Sequence, residues 1–399
     1  RNIETKVRKQ KYRNRNIETK VRKQKYRNRN TKTQIQKELR VKGNTMADRG
    51  TIRVGHIFAL TWHPLKINEA IVPGLPELNR QMPSGLQDLP EGVSCRSMTA
   101  AEAAAWLETH APGQEAEKFV AGKVPIYHPQ KFGTGLGAEY EQFLTDSNVR
   151  TDLIEAAAGA HPDRPLICRL EYQDGDCGAS ARILHLGEKA ALTMIIDCTS
   201  GREAAGLAAV STRAVLERGA HLTLVFAQTL GRRFLHLGDL GVSQADDARI
   251  DLVWLDLGAK DSFAGLQIEQ IGRRAAVNGA MGYLVRDEES VDINYNVIQR
   301  GRQTDSSFDF DGVLDGQGRK AFRGTIDFRN GCCGSKGKEM ERILLLSPDT
   351  VNRTLPIILC EEEDVEGAHG ASIGRLNEDM LFYMGARGID EKTARDIMV

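Results

Sequence analysis

Much that would announce a familiar enzyme is missing from this chain. No apolar run approaches the ~20 residues a membrane span needs, and nothing at the start reads as a secretory signal, so an intracellular, cytoplasmic chain with no membrane partner is expected. The seven cysteines, Cys95, Cys168, Cys177, Cys198, Cys332, Cys333 and Cys360, form no C-x-x-C pair and are odd in number. Reduced thiols are therefore expected rather than a disulfide framework. Nucleotide chemistry lacks its loop as well. GCCGSKGKE has five residues between Gly331 and Gly337 where the Walker pattern has four, and Glu339 follows Lys338 where Ser or Thr should hold Mg²⁺. There is no H-E-x-x-H zinc helix either. If ATP matters here, a partner must hydrolyse it. Aromatic residues are only 6%, too few for the sugar-stacking platforms of a carbohydrate-active solenoid enzyme, the rival reading from another class.

What is present begins with charge. The formal net charge is zero, yet residues 1–45 hold 17 Lys/Arg against 3 Asp/Glu, leaving 37 against 51 for the remainder. RNIETKVRKQKYRN fills residues 1–14 and recurs unchanged at 15–28. Such a segment has almost nothing apolar to bury, and it reads as a leader that is disordered or extraneous to the fold, with Met46 as the candidate start. No nucleic-acid partner is expected of the rest.

Residues 46–165 read as an N-terminal helical, α+β domain. Thr99 and Glu102 form a capping box for a helix through AAEAAAWLETHA, and GAEYEQFLTDSNVRTDLIEAAAGA reads as two more helical stretches. Gly133, Gly135 and Gly137 are spaced G-x-G-x-G, which fits a helix-entry loop and not the dinucleotide fingerprint. From 166 to 370 the texture changes to runs with period-2 alternation such as ALTMIID, HLTLVFA and RIDLVWL, which begin 30 and 28 residues apart. That spacing predicts coils of a β-helix with two or three strands per period, with a two-sheet sandwich as the alternative. Residues 371–399 read as the start of a C-terminal helical domain that is short and truncated. Asn377 should cap EDMLFYMGAR, Gly388 should end it, and Asp390 should start EKTARDIMV.

Cys360 and His369 stand nine residues apart, separated by Glu361, Glu362, Glu363, Asp364 and Glu366. A soft thiolate and an imidazole suit iron or an iron–sulfur cluster. Two ligands make an incomplete site, so the others should come from a second chain. Adjacent Cys332 and Cys333 point to opposite faces of an extended segment and read as part of a turn, with a secondary ligand role.

The stretch FRGTIDF followed by ILLLSPDTVNRTLPIILCEEEDVEGAHGASIGRLNEDMLFYMGARGID resembles the C-terminal half of the SufB/SufD family, the scaffold subunits of the SUF iron–sulfur cluster assembly machinery. The resemblance rests on Phe322 to Gly324, Glu341 to Ser347, Asp364-Val365, His369 to Gly374 and Leu381 to Ile389. The turn reads His369-Gly370-Ala371-Ser372, similar to the H-G-A-T of SufD-type chains rather than the H-E-A of SufB-type chains. The resemblance implies a mainly β fold: a right-handed parallel β-helix between helical N- and C-terminal domains. It implies a non-catalytic scaffold that pairs with a SufB-like subunit, or with itself, and holds a transient iron–sulfur cluster shared with that partner. A flavin is not readable. His369 becomes the leading ligand and Cys360 a helper outside the general SufD pattern. The C-terminal helices, with Leu381, Phe382, Tyr383, Arg387 and Ile389, would dock a SufC-type ABC ATPase.

Overall fold

The computed structural model describes residues 50–58, 67–111, 119–121, 124–126, 132–375 and 378–398. The basic leader, Met46 and the cap expected at Asn377 lie outside the described residues. In chain order, β1 (Ile52–Val54) and β2 (Ala70–Val72) pair antiparallel, and β3 (Arg80–Gln81), β4 (Leu86–Gln87) and β5 (Val93–Met98) lead into helix α1 (Ala100–His110). The capping box is present as read: the Glu102 amide donates to the Thr99 hydroxyl at 3.3 Å, and the Thr99 amide donates to the Glu102 carboxylate at 2.7 Å. A hairpin of β6 (Phe119–Ala121) and β7 (Val124–Ile126) precedes α2 (Ala138–Asp146).

The second helix expected after α2 is instead a strand, β8 (Thr151–Ala156). Asn148, in the left-handed region at φ 52°, ends α2. The chain then pairs antiparallel with β5 and parallel with β10 (Cys177–Leu186). Leu153, Ile154 and Ala156 are buried by this pairing, so tertiary contacts override the helix preference of an Ala- and Glu-containing stretch.

From β9 (Leu166–Tyr172) onward the strands alternate between two sheets. One sheet continues β8 and β10 through β12 (Ala205–Leu216), β14 (Arg233–Gln244), β16 (Asp261–Gln270), β18 (Ser290–Gln299), β20 (Arg319–Phe328) and β22 (Val351–Cys360). The other runs from β9 through β11 (Ala191–Ser200), β13 (His221–Thr229), β15 (Arg249–Asp256), β17 (Ala276–Val285), β19 (Asp305–Leu314) and β21 (Ser335–Leu345) to β23 (Val365–Arg375). Neighbours within each of these runs are parallel, which makes a β-solenoid with two strands per coil and excludes the sandwich. Each coil adds a layer of inward side chains: Leu192, Met194 and Ile196, then Leu222, Leu224 and Phe226, then Ile250, Leu252 and Trp254, all buried. Each such side chain contributes roughly 1.5–3 kcal/mol.

The turns stack as regularly as the strands. Lys189, Gly219, Asp247, Arg274, Gln303 and Gly334 all take left-handed φ between 57° and 76°. Their amides donate to the carbonyl one coil on, as from Gly219 to Asp246 at 2.8 Å and from Gln303 to Cys333 at 3.0 Å. Ala190, Ala220, Ala248 and Ala275 follow and are fully buried. Cys332-Cys333-Gly334 is thus one more copy of this turn, not a nucleotide loop. At the far end of the first sheet, Gln244, Gln270 and Gln299 stack in register and donate to carbonyls of the adjoining coil at 2.7–2.9 Å.

The second sheet keeps one face in solvent, whereas the first is covered outside by the N-terminal segment. Tyr140 and Leu144 of α2 pack on Ala179, Ala209 and Leu237, and Leu107 of α1 packs on Ile183 and Val215. The glycine loop lies flat on the sheet: a Cβ on Gly135 would stand 1.9 Å from the Leu266 nitrogen. This agrees with a helix-entry loop, and Gly137, at φ 89°, is the N-cap of α2. Its neighbour Leu136 donates its amide to buried Asp239 at 2.8 Å.

Candidate functional site

The solenoid ends on two unpaired edges. Among the described residues, strand β22 bonds only to β20 and β23 only to β21, so both sheets stop at the same end of the stack. Alternation along the strands assigns their faces. Register sets Cys360 over Phe328 and Thr354 over Phe322, while His369 stands over Glu339 and Ala371 over Glu341. Phe322, Phe328, Glu339 and Glu341 are buried in the solenoid interior. Cys360 and His369 therefore belong to the inward face of a last coil that has no further coil on top.

Both are exposed, and Cys360 is the exposed one among the seven free cysteines. Its thiol donates to the Glu362 carbonyl at 3.0 Å. It borders an open hollow of about 650 Å³ lined by Phe328, Ile358, Val365, Gly367 and the Glu361 to Glu363 run. His369 lies four residues into β23, about 13 Å along the strand from its start, and the turn over 361–364 separates it from Cys360. No hydrogen bond joins the two among the described residues. Among the described residues no group of three or more His, Cys, Asp or Glu could hold a metal ion. Cys332 is buried, and burial pushes its thiol up to about 11. Cys333 lies 2.7 Å from the Asp364 carboxylate, whose hydrogen bond raises its thiol as well. Neither is a thiolate near neutral pH.

Beneath the rim lies a group that the sequence reading passed over. Lys320 is fully buried and forms an ion pair with Glu341. Lys320 also donates to the Thr354 hydroxyl at 2.8 Å, Thr354 donates on to Glu341 at 2.8 Å, and the Tyr283 hydroxyl donates to Glu341 at 3.2 Å. Glu339 is buried too, its carboxyl pressed against Gly324, where a Cβ would meet it at 2.2 Å. Burial first, then the Glu341 charge, push Glu339 up to about 8, with Lys320 opposing. Period-2 alternation in SKGKEMERILL was the available signal, since it sets Glu339 and Glu341 on the same face as buried Ser335 and Ile343. Gly370-Ala371-Ser372-Ile373-Gly374 has the residue pattern G-x-S-x-G. It lies within strand β23 rather than at a strand-to-helix turn, so it builds no nucleophile elbow.

Past β23, helices α3 (Glu378–Ala386) and α4 (Glu391–Met398) close the described chain. Gly388 ends α3 at φ 85° and Asp390 caps α4 through the Thr393 amide at 3.0 Å, both as read. Phe382 and Tyr383 are 80% and 53% exposed, Leu381 and Ile389 are half-buried, and the Arg387 guanidinium lies 4.9 Å from the Tyr383 ring centre. Arg395 ties α4 to the solenoid by donating to the Leu346 carbonyl at 3.0 Å.

These features define a class: a parallel β-solenoid protein whose candidate ligands sit on an open rim rather than in an enclosed pocket. The chain belongs to the SUF system FeS cluster assembly, SufBD core domain family, whose model matches residues 172–399, more than half of the chain. It is similar to the chloroplastic protein ABCI7 of Arabidopsis thaliana, 26% identical over 46% of this chain and 39% of that protein. It is also similar to the iron-sulfur cluster assembly protein SufD of Bacillus subtilis, 26% identical over 29% of this chain and 26% of that protein. An iron-sulfur cluster assembly SufBD family protein of Mycobacterium leprae is 22% identical over 71% of this chain and 32% of its own length. The chain thus spans well under half the length of these curated relatives. No helix of the described residues is long and apolar enough to cross a membrane.

Proposed function

We propose that this chain is a SufD-like scaffold subunit, working in the cytoplasm, that presents half of a shared site for a nascent iron–sulfur cluster. The observation that carries the reading is the uncovered last coil, with Cys360 and His369 on its inward face and two unpaired edge strands beside them. Unpaired strand edges expose rows of backbone donors and acceptors that proteins cover or blunt. Ile373, on the same inward face, is 57% exposed. A partner of the same architecture, a SufB-like chain or a second copy, would cover these edges and supply the ligands this chain lacks. The cluster is cargo, held by His369 with Cys360 as a helper, and the scaffold performs no bond-breaking step of its own.

The protruding helices supply the second contact. Leu381, Phe382, Tyr383, Arg387 and Ile389 form an apolar, cation-edged surface suited to a SufC-type ATPase, whose cycle would open and close the paired rims. Domain limits near residues 165 and 370 belong to the same proposal. The test is anaerobic reconstitution of the chain with SufB-like and SufC-like subunits, scoring iron and sulfide per complex. His369→Ala should lower cluster yield about tenfold, the low end of what loss of a metal-tuning group costs. Unchanged yield would remove the histidine from the mechanism.

A further inference from the structure

On the side opposite the inward-facing ligands, the outer face of the first sheet carries a cleft of about 470 Å³ between β2 and strands β18, β20 and β22. Alternation along β20 sets Arg319, Ala321 and Arg323 on this outer face, and register sets Arg353 of β22 directly beside Ala321. Three guanidinium groups therefore surround one small residue, which leaves the floor between them open. Arg323 is buried and forms a pair with Asp292, while its Nε has no partner. Gly55 crosses above it, where a Cβ would stand 2.7 Å from its Nη2.

Arg319 and Arg353 are both exposed, and neither forms an ion pair or a side-chain hydrogen bond with any described residue. The acidic groups lining the cleft are already engaged: Asp292 with Arg323, and Glu69 with His56 at 3.1 Å. Two uncompensated cations held on neighbouring strands repel each other, and an oxyanion between them removes that repulsion and takes paired charge-assisted hydrogen bonds. Apolar groups border the arginines: Val351 stands beside Arg319 on the same sheet face, Phe263 lies two strands from Ala321 in the same row, and Ile71 comes from β2 across the cleft, with Ile71 and Val351 open to solvent. A bare inorganic ion would leave these groups uncovered.

We propose that this cleft binds an organic phosphate monoester, its phosphoryl group between Arg319 and Arg353 and its apolar part against Ile71 and Val351. The site lies on the outer face of the sheet that ends in rim strand β22, opposite the inward face that carries Cys360, and does not depend on the cluster reading. Isothermal titration of the full chain with phenyl phosphate, and in parallel with inorganic phosphate, tests it. Saturable binding of phenyl phosphate should be at least about tenfold tighter than that of inorganic phosphate, and should weaken at least about tenfold in Arg319→Ala and in Arg353→Ala. Arg302→Ala, an exposed arginine outside the cleft, should bind as the parent does, and circular dichroism of each variant should match the parent. Absence of saturable binding, or equal binding by Arg319→Ala and Arg353→Ala, would overturn the site. Equal affinity for inorganic phosphate would overturn its organic part.

Discussion

Asp239 holds the glycine loop to the solenoid while carrying a carboxyl that is poorly compensated. Burial, outweighing its hydrogen bonds to Thr134 and Leu136, pushes it up to about 7. A raised carboxyl stabilises the fold fully below its unfolded value and loses that contribution as pH climbs through the folded value. Between about pH 4 and 7, stability from this group should fall by about 1.4 kcal/mol per pH unit. Urea unfolding at about pH 5 and about pH 8 should show that fall in the parent and a smaller one in Asp239→Asn; equal slopes would contradict it. Lys320 gives a second expectation, because its removal strands Glu341 in the interior. Lys320→Met should cost roughly 3–5 kcal/mol, the usual penalty for breaking a buried pair from one side, measured in the same experiment. The cysteines give a third. Iodoacetamide on the native chain should modify exposed Cys360 well before buried Cys332, as followed by mass spectrometry of the peptides, and equal rates would mean the last coil is looser than described.

At the scale of elements, the glycine loop is the sharpest test of how the N-terminal segment docks. Gly135→Ala would place a methyl group where the β16 backbone already lies, so the loop must lift. Hydrogen exchange in residues 132–146 should rise while the solenoid strands stay protected. The coils themselves were legible in sequence because each repeats the same demand: inward aliphatics at alternate positions and a turn at a near-constant interval. Strand β8 was not legible, because its partners β5 and β10 lie far off in sequence and nothing local outweighs the helix preference of TDLIEAAAGA. The candidate site was half legible. The residue types of Cys360 and His369 pointed to metal chemistry, but His369-Gly370-Ala371-Ser372, read as a turn, is the middle of strand β23, and the turn between the two residues falls at 361–364. Lys320, Glu339 and Glu341 were hidden because a charged residue on an inward strand position reads as a solvated one until its register is known.

For the whole molecule, the account turns on what the solenoid leaves unfinished. Its first coils are capped by the N-terminal strands, the outer face of its first sheet is covered by α1 and α2, and among the described residues its last coil ends on bare edges with a thiol and an imidazole facing inward. The most direct test is hydrogen–deuterium exchange of the chain alone and mixed with a SufB-like partner, read over residues 351–375. The account predicts that β22 and β23 both gain protection when the partner is present, and that Ile373→Lys abolishes the gain without loosening the earlier coils. Protection confined to α3 and α4, or no change at the rim, would contradict the claim that this chain carries half of a shared site.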